Sequence, residues 1–231
     1  MKLIIANWKM QLDIRESVAL THRLMQGLPF AHELVLCPSF TAIAPLHELL
    51  MGHSIRLGGQ DLFWEEKGAY TGEISAKQLH EIGCSFVLVG HSERRKNLKE
   101  TEAMINKKMI AALSGKLVPI LCVGEAYKKQ LTAGLADLHL RHQESIVIAY
   151  EPEGSIGKKA APLSSVLKAH AVMRELTRKL LPGLKSKQLR VIYGGGMEEK
   201  LAPAFLAEAQ IDGLLVGGAS LTMRTFAPIL R

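Results

Sequence analysis

Glu151 and His91 are the residues whose setting most suggests proton chemistry. Glu151 directly follows the apolar run Ile146 to Tyr150 and precedes Pro152, so a carboxylate is held at the rim of a strand. An apolar approach partly desolvates a carboxylate and makes it a stronger base, the alternative being an ordinary surface-loop carboxylate. His91 lies between the apolar run Phe86 to Val89 and the polar segment Ser92 to Thr101, which reads as the first turns of a helix with Ser92 as N-cap. The positive end of a helix dipole disfavours an imidazolium and keeps a neutral ring that can donate a hydrogen bond, whereas a lone His is otherwise structural. Glu93, in the same turn, suits the dipole and could be merely stabilising, and Arg94 and Arg95 could pair with it or with other carboxylates. Lys9 follows Asn7 at the end of the first apolar run, where it would stabilise negative charge on a substrate oxygen with Asn7 as a neutral donor, or stand as a solvated cation. Gly194 to Gly196, and Gly217 with Gly218, are loops that can turn backbone N–H groups toward a phosphate, or plain turns.

Competing chemistries lack their patterns. Each His-Glu dipeptide is followed, four residues after its His, by Leu36, Met51 or Cys84, so no zinc-protease helix is present. Neither a phosphate-binding Gly-x-x-x-x-Gly-Lys-Ser/Thr loop nor a dinucleotide fingerprint occurs, and nothing in the sequence requires a metal or an organic cofactor.

The elements that must position these groups are short β-rich apolar runs: Leu3 to Ala6, Leu34 to Cys37, Ser54 to Leu57, Phe86 to Val89, Leu117 to Val123, Ile146 to Tyr150, Leu189 to Tyr193 and Gly213 to Val216. They are apolar at consecutive positions, as parallel strands covered on both faces are. Segments with helical spacing lie between them, for example Ile14, Val18 and Leu24, or Val166, Ala169, Met173 and Leu176. Strand and helix alternate, and eight such units predict an α/β fold closed into a (β/α)₈ barrel. No linker or composition shift divides the chain, so residues 1–231 are expected to form a single catalytic domain. Chemistry then belongs at the C-terminal strand ends, where all the residues above fall.

The composition is that of an ordinary globular protein, with 231 residues, 48% hydrophobic, 22% charged and a formal net charge of +7. The basic surplus fits a solvated surface or an anionic partner. Scattered cations and 5% aromatic residues argue against nucleic acid. No apolar run approaches the roughly 20 residues of a membrane-spanning helix, so no membrane partner is expected. The opening Met1 to Ala6 is too short for a signal peptide's apolar region, and Cys37, Cys84 and Cys122 read as reduced, buried thiols. Both point to the cytoplasm.

The motifs Ala6-Asn7-Trp8-Lys9-Met10, Gly68-Ala69-Tyr70-Thr71-Gly72-Glu73-Ile74-Ser75, Val89-Gly90-His91-Ser92-Glu93-Arg94-Arg95, Cys122-Val123-Gly124-Glu125, Ala149-Tyr150-Glu151-Pro152, Tyr193-Gly194-Gly195-Gly196 and Gly213-Leu214-Leu215-Val216-Gly217-Gly218-Ala219-Ser220 carry a further signal. With them, in this order and over nearly the whole length, the chain resembles the triosephosphate isomerase family. The resemblance implies that Glu151 shuttles a proton between C1 and C2 of dihydroxyacetone phosphate or D-glyceraldehyde 3-phosphate, while His91 acts as electrophile on the carbonyl. That Glu base and neutral His pairing is a known feature of the family and is not deduced from spacing. It further implies that Asn7 and Lys9 stabilise the enediolate, that Glu93 supports the site, and that backbone N–H groups of Gly157, Gly196, Gly217 and Gly218 hold the phosphate, in glycolysis and gluconeogenesis.

The family closes a lid after its sixth strand, here Pro152 to about Ala160, to exclude water. This chain departs there: Gly154 stands where the family has a Trp, the far hinge reads Lys158-Lys159-Ala160, and Gly196 replaces a usual Ser. The segment between Glu125 and Ile146 is about ten residues shorter than usual, so its helix is expected to be trimmed. The altered lid leaves open a slow paralogue or a related phosphosugar isomerase. A phosphate-binding barrel without turnover is a third reading, though a binder has no need of Glu151 and His91 together. By the same resemblance, the loop Gln60 to Gly72, with Phe63, Trp64 and Tyr70, inserts into a second subunit and brings Thr71 near the partner's site, which implies a homodimer. The alternative is a self-packed loop.

Overall fold

The computed structural model describes residues 1–231 apart from Leu28, His142, Glu153, Ile156 and Lys158. Its strands are β1 (Leu3–Asn7), β2 (Glu33–Cys37), β3 (Arg56–Gly59), β4 (Cys84–Val89), β5 (Val118–Val123), β6 (Ile146–Tyr150), β7 (Leu189–Tyr193) and β8 (Gly213–Val216). Between and after them run α1 (Ile14–Gln26), α2 (Phe40–Leu50), α3 (Ala76–Glu81), α4 (Ser92–Asn97), α5 (Glu102–Ser114), α6 (Tyr127–Gly134), α7 (Leu163–Leu180), α8 (Ala202–Ala207) and α9 (Met223–Phe226). The strands pair in sequence order, all parallel, and β1 closes on β8. This is the (β/α)₈ barrel expected from the alternation.

Alternation along each strand builds two apolar layers. Leu3, Ile5, Val35, Cys37, Phe86, Leu88, Ile120, Cys122, Val147, Ala149, Ile192 and Leu215 fill the barrel interior, while neighbours such as Ile4, Ala6, Val87 and Val191 face the helices. Burial on both faces explains the unbroken apolar runs. β3 differs from its expected span, ending at Gly59 instead of Leu57. The reason is packing: a Cβ on Gly58 would lie 2.8 Å from Cys37 Sγ and 3.2 Å from Phe86 Cβ, so the crowded interior takes a strand of glycines there.

The helices begin where capping chemistry allows. Asp13 and Glu16 form a reciprocal capping box on α1, Ser75 and Gln78 do the same on α3, and Thr101 caps α5. α1 then presents Leu20 and Leu24 to the barrel. α6 is only 8 residues long, as the short segment before β6 led us to expect. Cys37, Cys84 and Cys122 are free and buried. No helix among the described residues is long and apolar enough to cross a membrane.

Candidate active site

The strand ends converge on one cavity of about 260 Å³, lined by Asn7, Lys9, His91, Gly157, Gly196, Gly217 and Gly218 with their neighbours. All four glycines assigned to phosphate by resemblance therefore meet Asn7, Lys9 and His91 in one space.

β1 delivers Lys9 in an unusual backbone conformation, with φ at 53°. A non-glycine residue in that region costs on the order of 1–2 kcal/mol, so surrounding contacts must hold it. They do: the Lys9 N–H donates to Asn7 Oδ1 at 3.1 Å, and Gln60 Nε2 donates to the Lys9 carbonyl at 2.7 Å and to that of Cys37 at 3.0 Å. The Lys9 ammonium meets Glu93 Oε1 at 2.5 Å. It also runs beside the β8 loop, since a Cβ on Gly217 would lie 3.5 Å from Lys9 Cε.

His91 is held at the turn from β4 into α4. Here the structure corrects the expected cap: Ser92 is the first helical residue and His91 itself is the N-cap, its Nδ1 accepting the Glu93 N–H at 3.2 Å. An accepting Nδ1 suits the tautomer that carries its proton on Nε2. Arg95 braces the turn from behind, donating through Nε to the Gly90 carbonyl at 2.6 Å and through Nη2 to that of Cys122 at 3.2 Å. Its remaining arm pairs with Glu102 at 2.6 Å. Arg94 instead pairs with Asp61 at 2.8 Å and Glu100 at 2.6 Å, so neither arginine bonds Glu93.

Glu151, at the end of β6, is 1% exposed. Its Oε2 accepts the Ser92 N–H at 3.0 Å. Oε1 lies 3.1 Å from His91 Nε2 but without hydrogen-bond alignment, and it has no other partner. A buried carboxylate oxygen left without a donor is costly, and such a group persists where a reaction uses it. Gly194 makes room for the side chain, because a Cβ there would lie 3.1 Å from Glu151 Cγ. Cys122 lies beside it, and its thiol is pushed well up, first by burial and then by the Glu151 charge.

The sequence profile of triosephosphate isomerase matches residues 2–231. The chain belongs to the triosephosphate isomerase family. A triosephosphate isomerase of Dictyoglomus turgidum is 39% identical over 249 residues, covering 100% of this chain and 98% of the relative. One from Caldanaerobacter subterraneus subsp. tengcongensis is 40% identical over 245 residues, covering 99% and 98%. The crystal structure of triosephosphate isomerase from Bartonella henselae superposes with a TM-score of 0.85 at 30% identity, covering 99% of this chain and 97% of that one.

Several contributors to this triosephosphate isomerase site were not singled out from sequence. Gln60 stands at the end of the third strand as Lys9 stands at the end of the first, a position the sequence marks without giving Gln60 a role. The Ser92 N–H carries no such signal because it is backbone, nor does the Tyr193 phenol, which belongs to an apolar strand and accepts the Ala161 N–H at 2.9 Å. Gly196 is placed as expected but its N–H donates to the Ser155 carbonyl at 2.8 Å, so it reaches a phosphate only by exchanging partners. Gly157 has φ at 67° and Gly154 has open space around its Cβ position. Lys158, like Glu153 and Ile156, lies outside the described residues, while Lys159 is exposed.

Residues 65–73 of the loop after β3 form an exposed run that includes Thr71, away from this chain's own cavity. Phe63 at its base stacks on Trp64 and Tyr70, with ring centroids 4.1 and 4.6 Å apart, yet Tyr70 remains 44% exposed. The base of the loop is packed and its tip is not.

Proposed function

We propose that this chain interconverts dihydroxyacetone phosphate and D-glyceraldehyde 3-phosphate, as its family does, with Glu151 moving the proton between C1 and C2. The observation that carries this reading is the buried Glu151 carboxylate with an unpartnered Oε1 beside the His91 ring. Substrate carbon entering there meets a desolvated base, and the His91 Nε2–H polarises the carbonyl. Removal of the carbon-bound proton gives an enediolate, whose charge Lys9 and Asn7 meet. Glu93 steers the Lys9 ammonium through their ion pair. Backbone N–H groups of Gly157, Gly196, Gly217 and Gly218 hold the phosphate, and fixed donors in a closed site keep the enediolate from expelling it.

The full-length likeness to triosephosphate isomerases favours this over a slow paralogue or a related phosphosugar isomerase. Residues 1–231 act as one catalytic domain, without a cofactor, in cytoplasmic glycolysis and gluconeogenesis. Three buried free thiols suit that reducing compartment. The exposed tip of the loop after β3 supports a homodimer in which Thr71 approaches the partner's site. Sedimentation of a fully active monomer at assay concentration would contradict the dimer. For the reaction, Glu151→Gln is expected to lower isomerisation at least about a thousandfold while inorganic phosphate still protects against heat. Full turnover by that variant would overturn the assignment.

A further inference from the structure

One fully buried hydroxyl, that of Ser220, stands behind the phosphate end of the cavity. β8 ends at Val216, and the chain passes through Gly217 into a short helical turn, Gly218–Ser220. The Ser220 side chain folds back on that turn. Its Oγ donates to the Gly217 carbonyl at 2.7 Å and, sharing the same hydrogen, to the Val216 carbonyl at 3.1 Å. The Ser220 N–H makes a second bond to the Gly217 carbonyl at 2.8 Å.

Peptide geometry carries the effect of these bonds to the cavity. The Val216 carbonyl shares a peptide plane with the Gly217 N–H, and the Gly217 carbonyl shares one with the Gly218 N–H. In a trans peptide the two groups point in opposite directions. Two successive carbonyls drawn inward onto one hydroxyl therefore send two successive N–H groups outward, and Gly217 and Gly218 both line the cavity. The next two carbonyls are also turned into the protein, that of Gly218 accepting the Leu221 N–H at 3.2 Å and that of Ala219 accepting the Thr225 hydroxyl at 2.8 Å. This wall thus offers donors without competing carbonyl oxygens, which suits a phosphate dianion. A Cβ on Gly218 would meet nothing within 4 Å, so the loop is open on that side.

We propose that Ser220 is a positioning residue that aims the Gly217 and Gly218 N–H groups at the substrate phosphate, acting through two carbonyls and without touching substrate. This rests on the isomerase reading for the identity of the phosphate ester. Thr225 supplies the comparison. Its hydroxyl holds the Ala219 carbonyl, but the N–H of that peptide is the one Ser220 donates to Gly217, so Thr225 tethers the same loop without aiming a donor at the cavity.

Ser220→Ala, Ser220→Cys and Thr225→Ala are to be compared with the parent. Inorganic phosphate binding, measured by calorimetry, should weaken about tenfold in Ser220→Ala, because two hydrogen bonds to a charged group lose their alignment. It should weaken about threefold in Ser220→Cys, whose thiol is a weaker donor of similar size, and by less than about twofold in Thr225→Ala. The cysteine variant carries the comparison if the alanine variant does not fold. In Ser220→Ala, kcat/KM for D-glyceraldehyde 3-phosphate should fall about tenfold, while that for D-glyceraldehyde, which lacks the phosphate, stays within about twofold. A residue that only stabilises the fold would not separate these substrates. The proposal is overturned if the Ser220 variants bind phosphate as the parent does, if both substrates lose equally, or if Thr225→Ala weakens phosphate binding as much as Ser220→Ala. A parent that binds phosphate without isomerising would refute the isomerase reading, and the phosphate affinities would still decide the role of Ser220.

Discussion

Replacing Asp61 with Asn should remove a definite part of the protein's pH-dependent stability. Asp61 follows β3 and shares a buried cluster with Lys108 of α5, Glu100 before α5 and Arg94 of α4. Lys108 Nζ bonds both Asp61 oxygens at 2.7 and 2.8 Å and also contacts Glu100. Burial, reinforced by the Glu100 charge and opposed by Lys108 and Arg94, raises the Asp61 pKa from 3.8 to about 6. The folded chain thus binds this proton more tightly than the unfolded chain, so ionisation removes stability as pH rises from about 4 to about 6. About two pKa units correspond to roughly 3 kcal/mol in full, of which about 2 kcal/mol is regained on acidification from pH 7.5 to pH 4.5. His170 acts oppositely, since burial lowers its pKa to about 4 and acid must charge it in place. The comparison with Asp61→Asn cancels that contribution. Urea unfolding at fixed protein concentration, from pH 4.5 to 7.5, should show the parent gaining about 2 kcal/mol relative to the variant toward low pH. Parallel curves, or a gain toward high pH, would show that Asp61 does not carry this pH dependence.

The other predictions concern the supports of the reacting groups. Gly194→Ala puts a Cβ 3.1 Å from Glu151 Cγ and should lower kcat about tenfold or more by displacing the carboxylate, with a midpoint of thermal unfolding little changed. Steady-state kinetics beside a melting curve checks this, and unaltered kcat would show that the space is not needed. Arg95→Met strips donors from the Gly90 and Cys122 carbonyls and leaves Glu102 unpaired, so about 3 kcal/mol of stability should be lost. Chemical denaturation measures it, and a loss under about 1 kcal/mol would mean that the brace is not what holds the His91 turn.

Strands were legible because burial on both faces leaves continuous apolar runs, and several boundaries agree with the sequence to the residue. β3 was misplaced because Gly58 and Gly59 look like a turn until Cys37, Phe86 and Leu79 occupy the space around them. Glu151, His91, Lys9 and Asn7 were legible because each stands where an apolar run meets polar chain. What local sequence could not supply was long-range pairing. Arg94 and Arg95 find Asp61, Glu100 and Glu102 instead of Glu93, and Gln60 reaches back to Lys9 across 51 residues. The His91 cap was hidden because an imidazole nitrogen is an uncommon substitute for the Ser oxygen next to it.

In the proposed reaction Glu151 removes and returns the carbon-bound proton. Dihydroxyacetone phosphate turned over in heavy water should give D-glyceraldehyde 3-phosphate carrying solvent deuterium at C2, read by mass or NMR, and Glu151→Gln should abolish that incorporation. Deuterium entering C2 at the parent rate in the Glu151→Gln protein would show that another group is the base.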